Sequence, residues 1–192
     1  MFDSDDLTEL AGHVAHLWTA AADGDWSAPA GTLDWSCTAT ADHVVDTVLA
    51  PAFFLASRKL DGYPAFEPCT LGPSPSLTDL VEGLMTATRM LTAVVGAAPA
   101  DARACIWTRP PEARGPADFP PRAGLELILH AHDIASGLGV PFDPPPQLAD
   151  RLRRHTRDWA FWRTPGWSPL TLAGDPWADL LRASGRLRPA PG

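Results

Sequence analysis

The chain has 192 residues, of which 45% are hydrophobic and 20% charged, enough apolar surface for a core and unlike disordered, collagen-like or disulfide-scaffold chains. Fifteen basic against twenty-three acidic side chains give a formal net charge of −8, with Lys59 the sole lysine, so no basic face awaits phosphate backbones or anionic lipid and nucleic acid is not an expected partner. Three widely spaced cysteines, Cys37, Cys69 and Cys105, form no CxxC pair, and the segment Met1 to Asp6 is acidic where a signal peptide is basic; with no stretch read as a membrane span, the expected compartment is a reducing cytoplasm.

At the usual 100–200 residues per domain, the chain reads as a single domain, 1–192. Its helical body covers about 5–140 and a helical extension about 146–186. Leu7, Leu10, Val14, Leu17, Trp18 and Ala21 recur at helical spacing and predict a first helix from Asp5 to about Gly24. A second helix follows Trp35-Ser36-Cys37-Thr38, capped by Thr38 or Thr40, and runs through His43, Val44, Val48 and Leu49 towards Lys59 with a kink at Pro51. Gly62, Pro64, Pro68, Gly72, Pro73 and Pro75 make 61–76 a crossing loop. Leu77, Leu80, Val81, Leu84, Thr88, Leu91 and Val95 give a third helix, stopped by Gly96 and Pro99.

The only hint of a strand, Cys105-Ile106-Trp107-Thr108, is too short for one to be expected, and 109–121 reads as a proline-rich loop. The fourth helix opens at Pro120-Pro121-Arg122, where proline suits a first turn, and ends at Gly137 or Gly139. Two shorter helices follow, from Pro146 to Trp162 and from Pro176 to Ser184. The fold class is therefore all-α. Four long helices with two lengthy connections predict a helical bundle, whose sites are built from inward-facing side chains.

Helix four is apolar almost all round yet carries Glu126, His130, His132 and Asp133. At the helical rotation of about 100° per residue, Glu126, His130 and Asp133 fall within about 60° of one another, and His132 points away as a core or interface histidine. A buried Glu without a partner is costly. A divalent cation shared by Glu126 and His130, one turn apart, answers that cost with a donor set that suits zinc; a buried Glu–His hydrogen bond that fixes packing answers it too. A third ligand must come from elsewhere, and His43, in an apolar stretch of helix two, is the best candidate. His13 and His16 read as structural or solvated, and His155, among arginines, as a surface residue.

Asp34-Trp35-Ser36-Cys37-Thr38-Ala39-Thr40-Ala41-Asp42-His43 resembles the "P-x-W-T-V-R-D-L-x-x-H" start of helix two in the DinB-like superfamily, specifically the mycothiol-dependent maleylpyruvate isomerase metal-binding domain. Glu126-Leu127-Ile128-Leu129-His130-Ala131-His132-Asp133-Ile134-Ala135 is similar to that family's "E-x-x-x-H-x-W-D-L-A", and Asp175 to Arg186 to its closing "L-L-A-x-x-G-R". The resemblance implies an up-down-up-down four-helix bundle with short C-terminal helices. It also implies one divalent metal, normally zinc, held by His43, Glu126 and His130, with mycothiol or another small thiol as cosubstrate. Two departures separate this chain from the isomerases: His132 replaces an aromatic residue, and about sixty residues follow His130, too few for their substrate-binding C-terminal domain.

The function these readings favour is a metal- and thiol-dependent isomerase or S-transferase acting on a small electrophile. In the isomerase the thiol adds to an activated double bond, the adduct rotates, and elimination returns the thiol; in a transferase the thiol stays on the product. The competing class is a non-catalytic small-molecule binding or dimerisation module on the same bundle, and a homodimer suits either. Asp133 is a carboxylate that orients an imidazole or caps nearby backbone. Arg109, Arg114 and Arg122 border the proline-rich loop, where they meet an anionic substrate or only solvate a surface. Trp159, Trp162 and Trp167 wall a pocket or pad the core.

Overall fold

The computed structural model describes residues 1–65 and 69–187; Pro68, one of the loop's helix breakers, lies outside the described residues. Helix α1 (Ser4–Ala20) starts where the Asp3 carboxylate accepts the Asp5 and Asp6 amides while Asp6 accepts that of Asp3, a reciprocal cap. Leu7, Leu10, Val14 and Trp18 line its buried face. Helix α2 (Cys37–Ser57) is capped by Ser36, whose hydroxyl accepts the Ala39 amide, and not by Thr38 or Thr40. Thr38 instead donates to the Trp26 carbonyl, and Thr40 is buried inside the helix. The helix runs on through Pro51 and ends at Arg58 in the left-handed region, φ 58°. A second reciprocal cap, Ser76 with Asp79, starts α3 (Leu77–Ala97).

The proline-rich stretch holds a hairpin where a loop was expected. Strand β1 (Ala104–Thr108) pairs antiparallel with β2 (Pro111–Arg114), from Ala104↔Arg114 to Thr108↔Pro111, with an irregularity between Cys105 and Trp107. Proline is tolerated at such an edge because the ladder does not need its amide there. Ala104, Cys105 and Ile106 are buried, so it is packing against the body, and not alternation, that makes this strand. The fold is mainly helical, compatible with the all-α expectation, and among the described residues it adds a small two-stranded sheet.

Helix α4 (Phe119–Leu138) opens on Pro120 and Pro121 and closes at Gly139, left-handed at φ 68°. The predicted helix from Pro146 to Trp162 is two pieces, α5 (Pro146–Thr156) and a 3-10 turn (Ala160–Arg163), and α6 (Pro176–Ala183) follows. Helix α2 packs on α3 and α4, α1 packs on the same two helices, and α5 joins α4 to α6. Gly137 sets the α2–α4 approach: a Cβ there would lie 2.3 Å from the Pro29 carbonyl oxygen and 2.7 Å from Cys37 Sγ. One correction concerns length. Helices α2 and α3, 21 residues each, meet the length and mean hydropathy of a membrane span. In α2 that apolar content lines the core, while α3 buries Leu80, Leu84 and Leu91 and exposes Asp79, Glu82 and Arg89.

Candidate metal centre

Helix α4 carries Glu126 and His130 one turn apart towards α2, and α2 presents His43 to them from its second turn. One ligand atom from each residue lies within 4.8 Å of the other two. The His43 and His130 rings stand edge to face with centroids 5.2 Å apart, and Trp35 covers the other side of His43 at 4.9 Å. Residues 83 apart in sequence are thus brought together by the packing of α2 on α4.

The hydrogen bonds around the triad sort its atoms. His130 Nδ1 is 3.0 Å from Asp133 Oδ2, and its Nε2 is 3.4 Å from Glu126 Oε2. Two ligands on a tetrahedral zinc, each at about 2.0–2.1 Å, are about 3.3 Å apart, so the Nε2–Oε2 separation fits two donors sharing one ion as well as it fits a direct His130–Glu126 ion pair. The other oxygen, Glu126 Oε1, accepts from Arg122 Nη1 at 2.8 Å, which leaves Glu126 one oxygen for a metal. Asp133, buried beneath His130, is gripped by Arg186, Nε to Oδ1 at 2.9 Å and Nη2 to Oδ2 at 2.6 Å. It orients the imidazole and caps nothing. Metal-binding histidines are commonly fixed through their second nitrogen in this way.

Charges are set by the same contacts. Burial pushes the Glu126 carboxyl up, but Arg122 and His130 outweigh it and hold the carboxylate well below its usual range. Burial pulls His130 down, yet its bonds to Asp133 and Glu126 prevail and raise it to about 9. His43 is lowered by burial, against the pull of Glu126, which favours the neutral imidazole, with one ring nitrogen protonated and the other a free donor. Two imidazoles and one carboxylate that stays ionised form a donor set for a borderline divalent ion.

Two cavities are lined by triad residues and a third lies nearby. Glu126 and His130 line a cavity of about 100 Å³ with Trp107, Phe161, Trp167 and Arg186. His43 lines one of about 190 Å³ with Trp35, Asp42 and Cys69, and Arg122 walls a third beyond Glu126. Trp167 therefore faces the site, whereas Trp159 and Trp162 are core. Burial raises the thiols of Cys37 and Cys105, and among the described residues no cysteine joins the ligand cluster.

The other candidates separate clearly. His13 and His16 are exposed on α1, and His132 rests against Trp177 at 5.7 Å, on the far side of α4 from the triad. His155 is buried, contrary to the surface reading, with Nδ1 3.1 Å from the Phe2 carbonyl oxygen and Nε2 3.2 Å from Asp118 Oδ1. The neighbouring arginines of α5 had suggested exposure. Arg109 is exposed, Arg114 pairs with Glu112, and Arg122 is buried with its guanidinium 3.8 Å above the Trp107 ring. Sequence reasoning missed Arg186 and Trp107 as neighbours of the site. Arg186 closes the Gly185-Arg186 pair of the C-terminal motif, which is a signal of sorts, but nothing local in the chain says that it folds back on Asp133. No family model, no curated protein and no solved structure matches this chain.

Proposed function

We propose that the chain is a DinB-like up-down-up-down bundle of the maleylpyruvate isomerase type. In this reading it holds one divalent ion, zinc by its donor chemistry, at His43, Glu126 and His130, and serves a thiol-dependent isomerisation or S-transfer on a small electrophile. The observation that carries the reading is the convergence of these three ligand atoms within 4.8 Å, with an acceptor waiting behind His130 Nδ1 and cavities opening beside the donors. When bound, such an ion supplies Lewis acidity that favours the thiolate over the thiol of a small cosubstrate.

The chain's own residues have separable tasks. His43 and His130 offer imidazole nitrogens, and Asp133 keeps the His130 Nδ1 proton turned away from the donors. Arg122 occupies Glu126 Oε1 and so presents Oε2. Trp107, Phe161 and Trp167 wall the cavity beside His130 and limit the water that reaches it. Two neutral donors and one carboxylate leave a bound divalent ion with net positive charge, which favours an anionic guest such as thiolate.

The test is metal analysis of protein purified without chelators, followed by thiol conjugation to a chromogenic electrophile. One zinc per chain, lost in His130→Ala, and a thiol-dependent rate lost in Glu126→Gln are expected. Metal without turnover leaves the binding module; unchanged zinc content in His130→Ala excludes this site.

A further inference from the structure

On the side of α4 turned away from the triad, a further cavity opens at the surface. His132, Asp133 and Ser136 of α4 wall it, together with Arg186 from the segment after α6 and Gly31 and Thr32 from the segment before α2. Gly31 is left-handed at φ 59°, and a Cβ on it would lie 3.4 Å from the Asp133 carbonyl oxygen and 3.5 Å from Ser136 Cβ. Glycine is what lets that segment close against the helix. The cavity measures about 160 Å³, the liquid volume of about five waters at roughly 30 Å³ each, which is room for a small ion and a few attached atoms.

Its lining is rich in donors that lack acceptors. Arg186 directs Nε and Nη2 to the two oxygens of Asp133, while Nη1 meets no acceptor among the described residues and is open to solvent. The half-buried His132 ring and the exposed Ser136 and Thr32 hydroxyls make no hydrogen bond among the described residues, and neither do the Gly31 and Thr32 amides. An imidazole and two hydroxyls can each donate in any charge state reached near neutral pH. Asp133 is the one carboxylate in the wall, and both of its oxygens are already engaged, by Arg186 and by His130. The guanidinium matches its charge, so the cavity offers converging hydrogen bonds around a single cation. That suits a small ion and not a polyanionic backbone.

We infer that this cavity binds a tetrahedral oxyanion, free phosphate or the phosphoryl head of a small monoester, with Arg186 Nη1, His132, Ser136 and Thr32 donating to its oxygens. A planar anion would need the two-pronged edge of the guanidinium, and Asp133 already holds that edge. The donors that remain come from three separate segments, α4, the segment before α2 and the segment after α6. They approach from different directions, as the oxygens of a tetrahedral group require. The site stands apart from the metal reading, since none of its donors belongs to the triad.

The experiment is a calorimetric titration of the full chain with inorganic phosphate and with methyl phosphate, at constant ionic strength over a chloride background. One saturable site per chain is expected. Tighter binding of the ester names a monoester as the occupant and tighter binding of phosphate names the free ion; either result upholds the site. Ser136→Leu fills the cavity from an exposed position, and His132→Phe keeps an aromatic ring against Trp177 while removing its nitrogens. Each should weaken the better probe about tenfold, roughly the contribution of one charge-assisted hydrogen bond, and His43→Ala should leave it unchanged. Arg186→Gln removes the cation and should abolish saturation; if that variant does not fold, the two α4 variants still decide. No saturable binding, heats that follow ionic strength alone, or an affinity untouched by either α4 variant overturns the site. Loss of binding in His43→Ala with both α4 variants unaffected places the ion at the triad, which overturns it as well.

Discussion

His130 is held at both ring nitrogens, by Glu126 on one side and by Asp133, itself clamped by Arg186, on the other. That arrangement makes metal binding a competition with a proton. The folded-state value of His130 is raised to about 9 from 6.5, so the stability this proton lends the ion-free protein is complete below pH 6.5 and is lost as pH rises through about 9. Metal binding must displace it. Apparent zinc affinity is expected to rise about tenfold per pH unit and level off near pH 9, as competition with a chromophoric chelator would read; an affinity flat between pH 6 and 8 would contradict the protonation assigned here. Arg186→Met leaves all three donors in place but frees Asp133, and zinc affinity should fall about ten- to a hundredfold, the usual cost of losing an outer partner of a ligand. Retained affinity in that variant would make Arg186 a merely structural ion pair. At this scale the sequence said a great deal about α4, because Glu126, His130 and Asp133 share a stripe by helical rotation alone. It was silent about Arg186, 53 residues beyond Asp133, since no local rule links a residue after α6 to one on α4.

Helix α2 can bring His43 to α4 only because the two elements approach closely at their shared end. Gly137 permits that approach, with the Pro29 carbonyl and Cys37 Sγ already within 3 Å of where a Cβ would sit. Gly137→Ala forces the new Cβ against backbone, and overpacking of this kind costs about 1–3 kcal/mol. A melting temperature lowered by about 2–4 °C per kcal/mol is expected for a chain of this size, together with weaker zinc binding as His43 moves away. An unchanged melting curve would mean that the segment before α2 yields freely. Helices were legible from their apolar spacing and caps, with small shifts at their ends: Ser36 and not Thr38 caps α2. The hairpin was not. Its strands are four and five residues long, one begins with proline, and the burial of Ala104 to Ile106 depends on a surface made by other elements.

Across the whole molecule, the amino terminus and α5 are tied together through one buried side chain. His155 reaches the Phe2 carbonyl with one nitrogen and Asp118 with the other, and the Phe2 ring lies where a Cβ on Gly124 of α4 would meet it at 2.9 Å. His155→Ala removes two hydrogen bonds; half-buried Asp118 keeps Arg114 nearby, whereas the Phe2 carbonyl loses its imidazole partner, at about 1–3 kcal/mol for the unmet group. Denaturant unfolding should register that loss with the His43–Glu126–His130 cluster intact; a variant as stable as the wild type would show that water replaces the imidazole at no cost. In the proposed reading zinc binds only the folded chain, so it should raise the melting temperature of the whole molecule in proportion to the logarithm of its concentration, and His130→Ala should abolish that dependence.

The sequence by itself determined those features that depend on neighbours along the chain: the long helices, the proline- and glycine-rich connections, and the polar stripe on α4 with its demand for a partner. Helical periodicity and desolvation act locally, and both can be read from one segment. Only the tertiary structure decided that His43, the histidine the sequence favoured, does meet Glu126 and His130, that Arg122 and Arg186 brace these residues from both ends, that His155 is buried, and that cavities open beside the donors. Those outcomes depend on how α2, α4 and the segment after α6 pack together, and packing is set by shapes distant in sequence.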